Sequence, residues 1–119
     1  MSEGYTVADS ADVEAAMGAF RKMRIALGVK AFGINQIEMP PAFSGPEHDE
    51  SATSHEEVYV VLSGSGELSV DGQRVELLPG RYVRVSAGAT RQVTAGDGGL
   101  TFIAVGAPEH DEFTGRPTL

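Results

Sequence analysis

Short runs of β-branched, aromatic and aliphatic residues recur along most of the chain, and turn-forming residues separate them. The chain has 15 glycines and 6 prolines among 119 residues, and turn signals return about every eight to twelve residues. This spacing is typical of an antiparallel sandwich or barrel of short strands, so we predict an all-β fold. The predicted strands are Met23–Val29, Phe32–Met39, Glu57–Leu62, Glu67–Val70, Arg74–Leu78, Tyr82–Val85, Arg91–Thr94 and Leu100–Val105.

One short helix is predicted near the N-terminus, over Ser10–Phe20. Asp9 or Ser10 can cap its first turn, and acidic residues follow where carboxylates interact favourably with the helix dipole. The segment Pro41–His55 is rich in Ser, Asp, Glu and Pro. We predict that it forms a loop, with a strand edge near His48.

Charge and composition exclude several classes of protein. Seventeen acidic against nine basic side chains give a net charge of −8, which repels phosphate, so we expect neither nucleic acid nor membrane as a partner. The chain has no cysteine and therefore no disulfide, thiolate zinc site or cysteine nucleophile. The first ten residues lack a signal-peptide pattern, and the longest apolar run, Val58–Leu62, is too short to cross a bilayer. We expect a cytoplasmic protein.

Five residues in and after the predicted loop follow a distinctive spacing. Five residues separate Ala42 from His48, six separate Glu50 from Glu57, and six more lead to Gly64. This segment resembles the first motif of the cupin family, which runs Gly, five residues, His-x-His, three or four residues, Glu, six residues, Gly. His48 and Glu57 occupy the positions of the first His and the Glu, whereas Glu50 replaces the second His and Ala42 replaces the first Gly.

A second segment has the spacing of the other cupin motif. Gly80 is followed after five residues by Ser86-Ala87-Gly88, then by Arg91 and Ala95. The family's second motif runs Gly, five residues, Pro-x-Gly, two residues, His, three residues, Asn. Arg91 therefore stands at the third His position, and the resemblance as a whole covers Pro40–Ala95.

The resemblance implies a double-stranded β-helix, or jelly-roll barrel, preceded by a short N-terminal helix. It also implies a homodimer, and the outward-facing Val58, Val60 and Leu62 offer apolar surface to a second subunit. We expect three regions: an N-terminal helical extension over 1–22, a cupin barrel over 23–106, and a polar, loosely held C-terminal tail over 107–119.

Glu57 and Arg91 are expected to meet inside the barrel. Side chains alternate across a strand, so Glu57 shares the inward face with Tyr59. Family members usually bind a divalent metal through three His and the Glu, and here the Arg91 guanidinium can supply the counter-charge instead. Two unit charges about 4 Å apart interact at roughly 4 kcal/mol at an effective dielectric near 20, which disfavours a metal beside Arg91. We therefore predict no cofactor.

The favoured hypothesis is a small-molecule binding module with a polar or anionic ligand in a metal-free cavity. An equally open alternative is that Arg91 and Glu57 form only a structural ion pair, while His48 is an ordinary solvated loop residue. The predicted ligand-binding residues are Arg91, Glu57, Tyr59, Glu50 and His48.

Two enzyme hypotheses compete with this one. A metal-dependent dioxygenase or isomerase would hold Fe, Mn, Ni or Zn on His48, Glu50 and Glu57, with His55 as a fourth candidate ligand. A metal-independent epimerase-type enzyme would pair His48 or Tyr59 with Glu57 for acid–base chemistry.

One pentapeptide occurs twice. Pro-Glu-His-Asp-Glu spans Pro46–Glu50 and again Pro108–Glu112. The flanking residues differ and the period matches no repeat architecture, so we interpret the duplication as coincidence.

Overall fold

The structure, a computed structural model, describes residues 4–110 and 112–115. These residues form mainly β-strands, and no helix among them is long and apolar enough to span a membrane. The elements are a 3₁₀ helix (Ser10–Asp12), β1 (Ala15–Ala16), β2 (Phe20–Arg21), α1 (Met23–Leu27), β3 (Gly33–Met39), β4 (His55–Val70), β5 (Gln73–Leu77), β6 (Tyr82–Val85) and β7 (Arg91–Pro108).

All strand pairs are antiparallel, in the order β1-β2-β3-β7-β4-β5, with β6 on β4. β4 and β7 pair along nearly their whole lengths, through register shifts between Val61 and Ser63 and between Gly64 and Gly66. Bulges bend strands and increase their twist, so these two long strands fold the sheet over its own inner face. The predicted all-β jelly roll is confirmed.

The core lies between the halves of this folded sheet. Along β4, Tyr59 and Val61 are buried while the residues between them are not, which is the alternation expected of a strand with one face on the core. Leu68 on the second half of β4 has no exposed surface. Other buried core residues are Ile37, Met39, Leu77, Val85, Val93, Ala95, Leu100, Phe102 and Ala104.

Gly64 lies where β4 bends over β7. Its φ is +79°, and a Cβ there would overlap the carbonyl of Gly99, so only glycine fits. The predicted strand break at this point is wrong, because Glu57–Leu62 and Glu67–Val70 form one bent strand. The predicted break between Arg91–Thr94 and Leu100–Val105 is wrong for a similar reason: β7 continues through Gly96–Gly99.

The predicted helix over Ser10–Phe20 is wrong. Only Ser10–Asp12 is helical, as one 3₁₀ turn, and β1 and β2 then form a small hairpin whose turn contains Met17 and Gly18 at positive φ. The capping signals are local, whereas the pairing of Phe20 with Ile37 on β3 comes from a distant part of the chain. Tertiary pairing therefore overrides the local propensity.

The predicted strand Met23–Val29 is also wrong, because Met23–Leu27 forms the helix α1. These residues are mostly good helix formers. Gly28 ends the helix at φ 74°, and its N–H donates to the carbonyls of Arg24 and Ile25. Gly28, which we interpreted as a strand break, instead ends this helix in the left-handed backbone conformation.

The loop before β4 and the start of the C-terminal tail are both attached to the sheet. His48 forms an isolated bridge with Arg91, which agrees with the strand edge predicted there. β7 continues to Pro108, and the Glu109 N–H donates to the Ser54 carbonyl at 2.9 Å, so the tail is not loosely held at its start. The second pentapeptide includes Asp111, which lies outside the described residues, as do residues 116–119 of the predicted tail.

Candidate functional site

Glu57 on β4 and Arg91 at the start of β7 meet inside the barrel. The Arg91 Nη2 donates to Glu57 Oε1 at 2.7 Å, which confirms the meeting predicted from strand parity. The Arg91 side chain has no exposed surface, whereas that of Glu57 is 18% exposed. The pair therefore joins a fully buried cation to a carboxylate that still reaches the barrel mouth.

The Arg91 side chain donates hydrogen bonds to several protein groups besides Glu57. Nε lies 3.4 Å from the Tyr59 hydroxyl, and Nη1 lies 2.7 to 3.4 Å from three backbone carbonyls. Burial by itself lowers the pKa of Arg91, but the hydrogen bonds to Tyr59 and Glu57 outweigh it, and the pKa is raised. Of the two sequence hypotheses for Arg91, these contacts favour the structural ion pair over direct ligand contact. The three carbonyls belong to Ser86, Ala87 and Ala89.

Tyr59 connects the two members of the ion pair. Its hydroxyl donates to Glu57 Oε1 at 3.0 Å and accepts from Arg91 Nε. Burial, and then the Glu57 carboxylate, raise the pKa of Tyr59 well above its usual range. The phenol therefore stays protonated and fixes one oxygen of Glu57. Its ring also packs edge-on against Phe102, with ring centroids 5.5 Å apart.

His48 and Glu50 form the rim above this buried pair. His48 Nε2 lies 3.4 Å from Glu50 Oε2, and the backbone of His48 exchanges hydrogen bonds with Arg91 at 2.8 and 2.9 Å. The Glu50 N–H donates to the Ala87 carbonyl at 2.8 Å. The loop that carries both rim residues is thus held by backbone contacts, not by their side chains.

The rim is rich in hydrogen-bond acceptors. These are the carboxylate oxygens of Glu50 and Glu57 and the Pro46 carbonyl, which lies 3.2 Å from His48 Nδ1. Potential ligand atoms of His48, Glu50 and Glu57 lie within 4.8 Å of one another. A ligand that carries hydrogen-bond donors, or a cation, could bind to these atoms.

His55, the fourth predicted metal ligand, does not join this group. It begins β4, pairs with Pro108, and is partly buried. Among the described residues, the group that could hold an ion consists of His48, Glu50 and Glu57.

Sequence reasoning missed the backbone contribution to the site. The Ser86–Ala89 turn supplies carbonyls to Arg91, and the Ala87 N–H donates to the Glu109 carboxylate at 3.3 Å. Carbonyl positions leave no trace in residue type, which is why motif comparison could not find them. Glu50 and Glu109 both contact Ala87, but they hold different positions in the two copies of the pentapeptide, so the repeat did not indicate these contacts.

Comparison with known proteins identifies the family. A family model described as a cupin domain matches residues 35–106, more than half of the chain. This chain is a cupin. No curated protein sequence matches it.

Solved structures share the fold of this cupin but have different activities. A cupin protein from Bacteroides fragilis has a TM-score of 0.80 at 22% identity, with 99% of this chain and 100% of that chain covered. A predicted oxalate decarboxylase from Thermotoga maritima has a TM-score of 0.73 at 21% identity, with 87% of this chain and 99% of that chain covered. A polyketide cyclase from Streptomyces resistomycificus has a TM-score of 0.74 at 26% identity, with 87% of this chain and 80% of that chain covered. The fold alone therefore does not specify a reaction.

The residues present do not fit the four-ligand metal site that the family implies. One imidazole and two carboxylates remain, and the third His position holds Arg91, whose guanidinium binds Glu57 Oε1. This cation contributes no lone pair and repels a metal ion. A weak three-ligand cation site is the most that this donor set offers.

Proposed function

We propose that this cupin binds a small polar molecule at the barrel mouth without a metal ion. The observation that carries the proposal is the 2.7 Å contact between Arg91 and Glu57. A buried guanidinium there gives the carboxylate the counter-charge that a metal would otherwise supply. The binding groups are His48, Glu50 and Glu57, and Arg91 and Tyr59 act through Glu57 as positioning residues.

The hydrogen bonds of Glu57 support this division of roles. Tyr59 and Arg91 both donate to Oε1, so Oε2 stays available to a ligand. Because Arg91 is fully buried and the Tyr59 residue only 4% exposed, neither offers surface to a bound molecule. Their contribution is to hold the Glu57 carboxylate in one orientation.

The expected ligand presents hydrogen-bond donors, such as hydroxyl or ammonium groups. The Glu50 and Glu57 carboxylates offer acceptor oxygens, and these two acidic side chains outnumber the one buried guanidinium. An anion would meet these carboxylates while the donors of Arg91 remain bound to the protein. Of the polar and anionic ligands predicted from the sequence, these contacts favour the polar, donor-rich class.

Elemental analysis of untagged protein tests the metal-free site. We expect iron, manganese, nickel and zinc to lie far below one equivalent. The matched variant Arg91→His removes the cation and returns an imidazole to the third His position, so it should retain more metal after the same dialysis. One equivalent of any of these metals in the wild-type protein would overturn the proposal.

A thermal-shift screen tests the ligand class. Polyols and amines at millimolar concentration should raise the melting temperature, and sugar acids and phosphates should not. Glu57→Gln should abolish the shift, whereas Glu67→Gln, on the distant half of β4, should retain it. The same response to anions, or no response to any donor-rich compound, contradicts this ligand class.

A weak divalent-cation site is the second candidate, favoured by the convergence of His48, Glu50 and Glu57 within 4.8 Å. Titration with Mn²⁺ should then give a dissociation constant that rises in Glu50→Gln.

The epimerase-type hypothesis retains only His48 and Glu57, because the raised pKa of Tyr59 makes its hydroxyl unsuitable as a base.

A further inference from the structure

The start of the C-terminal segment contacts two elements that build the candidate site. One is the rim loop, residues 42–54, which carries His48 and Glu50, and the other is the turn before β7. The N–H of Glu109 donates to the Ser54 carbonyl at 2.9 Å, and its carboxylate accepts from the Ala87 N–H at 3.3 Å. Glu109 thus links the end of the rim loop to this turn.

Ala87 connects Glu109 to the groups that form the site. The Ala87 carbonyl accepts from the Glu50 N–H at 2.8 Å and from Arg91 Nη1 at 3.4 Å. Ala87 itself is only 3% exposed, so little water can replace the Glu109 carboxylate as the acceptor of its N–H. A shift of this turn would therefore disturb both the rim and the buried cation.

These contacts close a ring of hydrogen bonds around the end of the rim loop. From Glu109 the ring passes to Ser54, then along the chain to Glu50. It continues across to Ala87 and returns to the Glu109 carboxylate. Inside the ring, the Thr53 N–H donates to the Glu50 carbonyl at 3.2 Å. The backbone of Glu50 is therefore held through both its N–H and its carbonyl.

The rim loop begins and ends at residues with a strained backbone. Ala42 has a φ of 61° and Ser54 a φ of 56°, in the left-handed region that residues other than glycine rarely adopt. Such conformations persist where surrounding contacts enforce them. The Ala42 N–H donates to the Gly96 carbonyl at 2.9 Å, and the Glu109 N–H makes the corresponding contact at Ser54. Glu109 therefore supports the strained end of the loop that lies nearest to Glu50.

We infer that Glu109 is a positioning residue of the binding site, which holds the Glu50 carboxylate in place beside Glu57. Potential ligand atoms of Glu50 and Glu57 lie within 4.8 Å of one another, so a ligand that binds both requires the rim loop at this position. Glu109 acts through Ala87 and the loop backbone. The inference rests on the proposed function, because it concerns the affinity of that same site.

Amide hydrogen exchange of the full chain, followed residue by residue by NMR, tests the positioning role without a ligand. In Glu109→Ala the Ala87 N–H loses its acceptor, so exchange at Ala87 and Glu50 should accelerate at least about threefold. Glu109→Gln keeps an acceptor oxygen without the charge, and it should recover most of the protection. Amides of β5, which pairs with the other half of β4, should exchange as in the wild-type protein.

Titration with ethanolamine, which carries one hydroxyl and one ammonium group, measures the consequence for binding. Its dissociation constant should rise about threefold to tenfold in Glu109→Ala, the range expected when one hydrogen bond is lost. In Glu109→Gln it should stay near the wild-type value. Glu112→Ala, at an exposed acidic residue of the same segment, is the matched control and should change neither binding nor exchange.

The two measurements separate this inference from the proposed function. A wild-type protein that binds no ethanolamine contradicts the proposed ligand class, and the exchange rates then decide the role of Glu109. Unchanged exchange at Glu50 in Glu109→Ala overturns the inference, as does an equal acceleration throughout β5, which would indicate a general loss of stability. An unchanged dissociation constant in Glu109→Ala also overturns it. So does a Glu109→Gln variant that behaves like Glu109→Ala, because charge and not the hydrogen bond would then hold the loop.

Discussion

The guanidinium of Arg91 lies 2.7 Å from the carboxylate of Glu57, with the Arg91 side chain wholly buried and Glu57 still 18% exposed. The same guanidinium also binds three carbonyls of the turn before β7. Stability and the proposed binding group are therefore linked, because Arg91 both anchors this turn and holds Glu57.

Replacing Arg91 with Met should strongly destabilise the protein. The change leaves Glu57 without its counter-charge and the turn carbonyls without a donor, and removing one member of a buried ion pair costs about 3 kcal/mol or more. Urea unfolding measures the loss. Arg74→Met, at a side chain that is 79% exposed, should change the free energy of unfolding by less than about 0.5 kcal/mol. Equal losses in the two variants contradict a structural role for Arg91.

Replacing Tyr59 with Phe should change the dependence of stability on alkaline pH. The folded-state pKa of Tyr59 is raised by burial and by Glu57 above the ordinary value of about 10 for an unfolded chain. A raised pKa stabilises the fold fully below pH 10, and this contribution is lost as the pH rises above 10. The difference in unfolding free energy between wild type and Tyr59→Phe should therefore be constant below about pH 9 and shrink above about pH 10. A difference that does not shrink argues against burial of the phenol.

Replacing Arg21 with Ala should release the N-terminal segment. Arg21 pairs with Glu38 on β3, and its Nη1 donates to the carbonyls of Ser10 and Val13. Limited proteolysis should then cut before β2 much faster than in the wild-type protein. Arg24→Ala is the control, because the Arg24 guanidinium donates to the carbonyl of Val29, a near neighbour in the chain. Equal cleavage rates in the two variants would mean that other contacts hold the segment.

The Arg21 contact should also weaken in acid. The hydrogen bond from Arg21, followed by that from Gln36, lowers the pKa of Glu38. A lowered carboxyl pKa stabilises the fold above the unfolded pKa of about 4.3, and the contribution disappears as the pH falls through the folded-state pKa. Cleavage before β2 by an acid-active protease should therefore accelerate below about pH 4 in wild type, and less so in Arg21→Ala. The same acceleration in both proteins contradicts the assignment.

Replacing Gly64 with Ala should destabilise the barrel more than replacing Gly72 with Ala. Both glycines have positive φ, at +79° and +82°, but a Cβ at Gly64 meets the Gly99 backbone whereas one at Gly72 meets open space. Gly72→Ala should cost about 1 kcal/mol from backbone strain alone, and Gly64→Ala clearly more, by chemical unfolding. Equal costs would show that β7 moves away from β4 freely.

The outcome for α1 shows where sequence interpretation reached its limit. Residues in both segments are compatible with helix or strand. The predictions put Phe20 at the end of a helix and Met23–Val29 in a strand, whereas Phe20–Arg21 is a strand and Met23–Leu27 a helix. The choice depends on pairing with Ile37, a residue far away in sequence. Local propensity differs by less than about 1 kcal/mol between such residues, which a long-range strand pair readily outweighs.

The meeting of Glu57 with Arg91 was determined by the sequence alone, because the two-residue period of a strand and the spacing of the cupin motifs are properties of the local chain. Only the tertiary structure decided what the guanidinium does there. Its remaining donors bind backbone carbonyls of the Ser86–Ala89 turn, and Gly64 bends one strand where two were expected. The first depends on where the turn directs its carbonyls, and the second on how closely the Gly99 backbone approaches Gly64. Residue types reveal neither, because backbone atoms are the same in every residue.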